Sequence, residues 1–194
     1  MAPRSDELLA GLPETFRYSE ALDHISERQF RRLVGDGSVV ALARGLYRKS
    51  YWLGDEDLIE IAVKAPQATL CLRSALGHHE LVDDIPAEID IAIPRGSWTP
   101  HTTAPVKWRH FDADTFDLGR SWLDIDGGRR IGLYSAERSI IDAFRMRHLE
   151  GADLANEALK RWLRQGGQPS ELLALARSFP RAQSALRATL EILL

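Results

Sequence analysis

Six basic side chains lie between Ser26 and Lys49, namely Arg28, Arg31, Arg32, Arg44, Arg48 and Lys49, against two acidic ones, Glu27 and Asp36. Arginine carries a planar fork of donors that can bridge two acceptors on a guanine edge, and arginine and lysine both neutralise phosphate. The chemistry open to such a cluster is recognition of double-stranded DNA. Arg28 and Arg31 are the candidates for base contacts, Arg32 for base or phosphate, and Arg44, Arg48 and Lys49 for the sugar–phosphate backbone. The whole chain has a formal net charge of -3, so the cluster is a local feature. A basic face can bind phosphate while the protein as a whole stays acidic.

Other chemistry-bearing residues form weaker patterns. Glu88 and Asp90 alternate along Glu88-Ile89-Asp90-Ile91, which would set two carboxylates on one side of a strand for magnesium, since oxygen ligands suit hard cations. That is the arrangement of a nucleotidyltransferase or nuclease. Upstream, Gly77-His78 stands where a glycine–serine phosphate loop belongs, but the serine is missing and no third carboxylate follows on a neighbouring strand. His78, His79, His101 and His110, even with Cys71, have no metal-ligand spacing, and C-x-x-C and H-E-x-x-H are absent, which argues against zinc. Ser97 lacks the surroundings of a nucleophile elbow. No catalytic residue, metal or cofactor is expected. Arg138 and Asp142, four residues apart on a predicted helix, read as a surface ion pair, and Arg145 and Arg147 as a widening of the same positive face.

The basic cluster needs elements to position it. Ser19 is placed to cap a helix over Glu20–Asp23, and Ser26 with Gln29 three residues later forms a capping box for a second helix. Phe30, Leu33 and Val34 share an apolar stripe on that helix, which leaves Glu27, Arg28, Arg31 and Arg32 outward. Gly35-Asp36-Gly37 ends it. Val39–Leu42 and Leu46–Lys49 read as two strands around Ala43-Arg44-Gly45. Two short helices followed by a two-stranded wing make a winged helix-turn-helix, which docks its second helix in the major groove. A short helix over Asp6–Gly11 precedes it.

The rest of the chain reads as mixed α/β. A packed junction at Tyr51-Trp52-Leu53-Gly54 leads to a helix over Glu56–Lys64 capped by Asp55. Ala68–Leu72 is a short strand or the start of a helix running through Ser74–Leu81. Glu88–Ile93 and Val106–Phe111 are strands, and between them lies a loop in which Trp98 is the anchor. Trp122–Ile125 and Arg129–Leu133 form a hairpin through Asp126-Gly127-Gly128. Helices follow over 136–148, 154–164, 170–178 and 181–194, and the apolar end, Leu190 to Leu194, is expected to pack on the core. The predicted class is α+β, with an N-terminal winged helix-turn-helix over 1–50 and an α/β domain with a helical C-terminal half over 51–194.

At the level of whole segments, the run RRLVGDGSVVALARGLYRKS resembles the N-terminal winged-helix domain of the AbiEi family of bacterial antitoxins. LRSALGHHEL, IAIPRG and YSAERSIIDAFR resemble, in the same order, segments of that family's second domain, so the resemblance covers Tyr18 to Arg147. It implies a DNA-binding repressor that acts on a promoter repeat of its own operon. It also implies a nucleotidyltransferase-like toxin as the partner to be neutralised. Two alternatives remain: a stand-alone winged-helix regulator with a ligand-sensing second domain, and a nucleotidyltransferase or nuclease using Glu88 and Asp90.

Bulk properties set the frame. With 44% hydrophobic and 27% charged residues the chain is of ordinary globular composition, which excludes general disorder. The one cysteine, Cys71, lies in an apolar run and reads as a buried, inert thiol. No stretch approaches the length needed to cross a bilayer, and the first residues lack the apolar core of a signal peptide. A cytoplasmic protein without membrane contact is the expectation.

Overall fold

A computed structural model describes residues 5–50, 55–83, 86–126 and 129–193, and shows a mixed α+β chain with two small sheets. The chain divides into two compact units. One comprises Met1–Lys64, His101–Ala104 and Asp124–Arg130, and the other Ala65–Pro100, Pro105–Leu123 and Ile131–Leu194. The expected junction at Tyr51–Gly54 lies outside the described residues. No described helix is long and apolar enough to cross a membrane.

In the first unit, α1 (Ser5–Leu9) is followed by β1 (Thr15–Arg17), α2 (Tyr18–Leu22), α3 (Glu27–Gly35), β2 (Val39–Ala43), β3 (Leu46–Lys49) and α4 (Glu56–Lys64). Ser26 and Gln29 cap α3 reciprocally: the Gln29 amide donates to Ser26 Oγ and the Ser26 amide to Gln29 Oε1, at 3.3 and 2.8 Å. The cap of α2 is Arg17 instead of Ser19, and its amide donates to the Glu20 carboxylate at 2.7 Å. Phe30 and Leu33 are buried on α3, while Val34 in its last turn is exposed. Phe30 lies edge-on to both Tyr18 and Tyr47, with ring centroids 5.0 and 4.8 Å away. That geometry suits ring quadrupoles and ties α2, α3 and β3 together. Leu9, Leu12, Phe16, Ala21 and Ile25 complete the core.

The sheet of this unit has one strand more than expected. Its order is β1-β3-β2, antiparallel throughout, with Phe16 opposite Tyr47 and Ala41 opposite Tyr47 on the other side. β3 is therefore a central strand and not the outer strand of a two-stranded ribbon.

The second unit carries β4 (Thr69–Leu70), α5 (Leu72–His78), β5 (Ile89–Pro94), β6 (Val106–Phe111), β7 (Arg120–Asp126) and β8 (Arg129–Tyr134). The hairpin tip, residues 124–130, groups with the first unit, and its two central glycines lie outside the described residues. The strand order is β6-β5-β4-β8-β7; β5–β6 and β4–β8 are parallel and β4–β5 antiparallel. Asp90 to Ile93 are buried without alternation, as expected of a strand covered on both faces.

Five helices follow: α6 (Ala136–Arg145), α7 (Arg147–Glu150), α8 (Ala152–Arg164), α9 (Pro169–Ala176) and α10 (Pro180–Leu193). The helix expected through His148 breaks at Met146, and α7 is a separate turn. Ile140, Ile141 and Phe144 of α6 meet Leu159 and Trp162 of α8, Leu172 of α9 and Leu186 of α10 in one core. Leu190 joins it, whereas Ile192 is 83% exposed. Trp98 is 77% exposed, against the anchoring role expected of it. Cys71 is fully buried, and burial pushes its thiol pKa up, consistent with an unreactive thiol.

The Arg138–Asp142 pair corrects a sequence expectation. Both side chains are fully buried, not on a surface. Arg138 Nε donates to Asp142 Oδ2 at 2.9 Å, and its Nη1 donates to the carbonyls of Thr115 and Leu118 at 2.7 and 2.5 Å. The guanidinium also lies 4.2 and 4.4 Å from the ring centres of Tyr134 and Phe179. The reason for the burial is the α6 environment, covered by helices on one side and by the 115–118 segment on the other.

Candidate nucleic-acid interface

The Ser26–Gln29 cap fixes where α3 begins and hence which residues share its faces. Arg28, Arg31 and Arg32 stand at i, i+3 and i+4, so helical geometry places them along one stripe. All three are exposed. Arg31 Nη2 reaches Glu27 Oε1 at 2.6 Å, with both side chains more than half exposed. Solvent screens such a pair strongly, so Glu27 holds Arg31 only weakly. The positive macrodipole end of α3 lies on the same side as Arg28, which adds to its attraction for anions.

Arg44 is exposed in the turn between β2 and β3, where Gly45 adopts a φ of +75° and so supplies the left-handed backbone that the tight reversal requires. The next two sequence candidates face elsewhere. Arg48 Nε is bound to Glu56 Oε1 at 2.5 Å, and its Nη1 donates to the carbonyls of Lys49 and Ser50. Lys49 is 5% exposed and its Nζ approaches Glu14 Oε1 at 3.4 Å. Both were expected to meet phosphates as part of an outer ribbon. Arg48 is held instead by Glu56 at the start of α4, and Lys49, on the opposite face of the strand, by Glu14 just before β1.

Two basic residues that the sequence does not single out stand near Arg44. Arg17, Arg44 and Lys64 line a cleft of about 190 Å³. Arg17 Nη2 donates to the Val63 carbonyl at 2.8 Å, and Lys64 Nζ to Glu60 Oε1 and the His101 carbonyl at 2.6 and 2.9 Å. Glu60 is nearly fully buried and accepts from the amides of Thr103 and Ala104. Burial opposes its charge, but the Lys64 ammonium and the two amides outweigh that, and its pKa falls below the ordinary carboxylate value. The one sequence signal for Arg17 is a basic residue directly before a helix. Its place beside Arg44 depends on β1, which has no sequence period.

The carboxylates weighed for metal binding are separated in character. Glu88 is exposed and precedes β5, whereas Asp90 is buried and receives both Nε and Nη2 of Arg109 at 3.1 and 3.0 Å. Arg109 also pairs with Glu150. Burial pushes Asp90 above its ordinary pKa, against the pull of Arg109. The alternation seen in sequence thus places one carboxylate in an internal ion-pair network and the other in solvent.

No protein-family model matches the chain, and no curated protein does. Among solved structures, the RV2827C protein from Mycobacterium tuberculosis is similar in fold, with a TM-score of 0.56 and 18% sequence identity over 95% of this chain and 79% of that one. At that identity the likeness concerns architecture, and a shared fold does not carry function with it.

Proposed function

We propose that the chain is a sequence-reading DNA-binding regulator whose N-terminal part works as a winged helix-turn-helix. α2 and α3 form the helix pair, and α3 enters a major groove with Arg28 and Arg31 toward base edges. Arg32 takes a base or a flanking phosphate, and Arg44 on the hairpin turn grips the backbone, with Arg17 and Lys64 beside it. The observation that carries this reading is the exposed arginine stripe on a well-capped helix, in a chain of net negative charge. In line with the AbiEi resemblance, the operator is a promoter repeat of the chain's own operon, and the partner is a nucleotidyltransferase-like toxin encoded beside it. A metal-dependent enzyme built on Glu88 and Asp90 has less support, because Asp90 is engaged by Arg109.

Footprinting on the DNA upstream of the gene, together with growth rescue on co-expression with the adjacent gene, tests both halves. A protected repeat and restored growth are the expected results. Absence of protection removes the regulator, and protection without rescue removes the antitoxin role while keeping the regulator.

A further inference from the structure

The second unit holds a feature that the DNA-reading account does not use. Two adjoining clefts, of about 330 and 390 Å³, share Arg95, Asp112, Arg145 and Arg181 as walls. One of them continues past Trp108, Met146 and Leu149, and the other reaches Pro180, the first residue of the 14-residue helix α10. Arg145 lies over the Phe111 ring at 4.6 Å and forms a close ion pair with the buried Asp142 at 2.9 Å, not aligned as a hydrogen bond. Its Nε is a buried donor with no acceptor among the described residues. Arg95 approaches Asp112 at 3.9 Å with both side chains largely exposed, which leaves most of its charge to solvent. Arg181 is exposed in the first turn of α10, where the helix dipole is positive.

From this convergence we infer that the cleft binds a small molecule bearing a phosphate group. The phosphate sits between Arg95, Arg145 and Arg181 at the start of α10, and an apolar or ring-bearing body lies along Trp108, Met146 and Leu149. Arginine forks match phosphate oxygens in bidentate fashion, and a helix N-terminus adds favourable field. The aromatic and aliphatic wall supplies the contact surface usual for small-ligand sites. Arg95, Arg145 and Arg181 line both clefts against the single carboxylate Asp112, and this net positive lining suits an anion. No wall residue lies on α3, so ligand binding here stands apart from the DNA-reading proposal.

Calorimetric titration of the full chain with AMP, adenosine and inorganic phosphate tests the inference. AMP should bind most tightly, inorganic phosphate should compete with it, and adenosine should bind at least about tenfold more weakly than AMP. The exposed double variant Arg95→Ala with Arg181→Ala should weaken AMP by about tenfold or more with unchanged circular dichroism, whereas Arg28→Ala with Arg31→Ala should leave AMP binding as it was. Equal affinity for AMP and adenosine, an undiminished Arg95/Arg181 variant, loss of binding in the α3 variant, or no saturation by AMP at millimolar concentration each overturns the assignment.

Discussion

Arg138 shows at the scale of one residue how spacing and surroundings divide the information. Its four-residue separation from Asp142 predicts the pairing, which the structure contains. Whether that pair faces water or core is decided by what packs on α6, and no residue of the pair encodes it. In the buried setting Arg138→Leu leaves Asp142 with Arg145 alone, and a loss of about 3–5 kcal/mol in urea unfolding is expected. Arg138→Lys, which keeps the positive charge beside Asp142, should lose less than Arg138→Leu, and equal losses would contradict the electrostatic account. Gly119 belongs to the same site: its φ is +70°, and an added Cβ would stand 2.8 Å from Arg138 Cβ. Gly119→Ala should therefore lower the melting temperature, where a surface glycine at ordinary φ would not. Glu60 offers a test by pH. Its folded pKa is depressed, so its contribution is complete above the ordinary carboxylate value and disappears as pH falls through the folded one. The difference in melting temperature between wild type and Glu60→Gln should narrow as pH drops below about 4, and a constant difference would show that the carboxylate charge is not what matters.

At the scale of elements, α3 was the most legible part of the chain because its start is written in a short-range code. Ser26, Gln29 and Phe30 specify cap and inward stripe before any tertiary contact is known. Ser26→Ala should lower stability by about 1 kcal/mol, measured by denaturant midpoint, while Ser26→Asp should keep most of it; equal losses would mean that the cap hydrogen bond is not the source. β2, β5, β6, β8, α6, α8, α9 and α10 were likewise readable from apolar period and from Gly and Pro punctuation, whereas the break at Met146 that makes α7 separate was not. β1 was not, since three residues are too few to show a period and their pairing with β3 is a long-range event. That one omission propagates to the candidate site. It hides the pairing of Lys49 with Glu14, and it hides the approach of Arg17 to Arg44.

For the molecule as a whole, charge is distributed and not abundant. A net charge of -3 coexists with an exposed arginine stripe on α3 in one unit and an arginine-walled cleft in the other. On the proposed reading, the first unit meets a duplex through α3 and the second takes a small phosphorylated ligand. The most direct test of the DNA-reading claim is fluorescence anisotropy with a duplex carrying the upstream repeat and with a scrambled duplex, each over a series of salt concentrations. The account predicts that Arg28→Ala with Arg31→Ala brings the two affinities together, while Arg44→Ala weakens both duplexes alike and reduces the salt slope by about one. An α3 variant that still prefers the repeat as strongly as wild type does would contradict it.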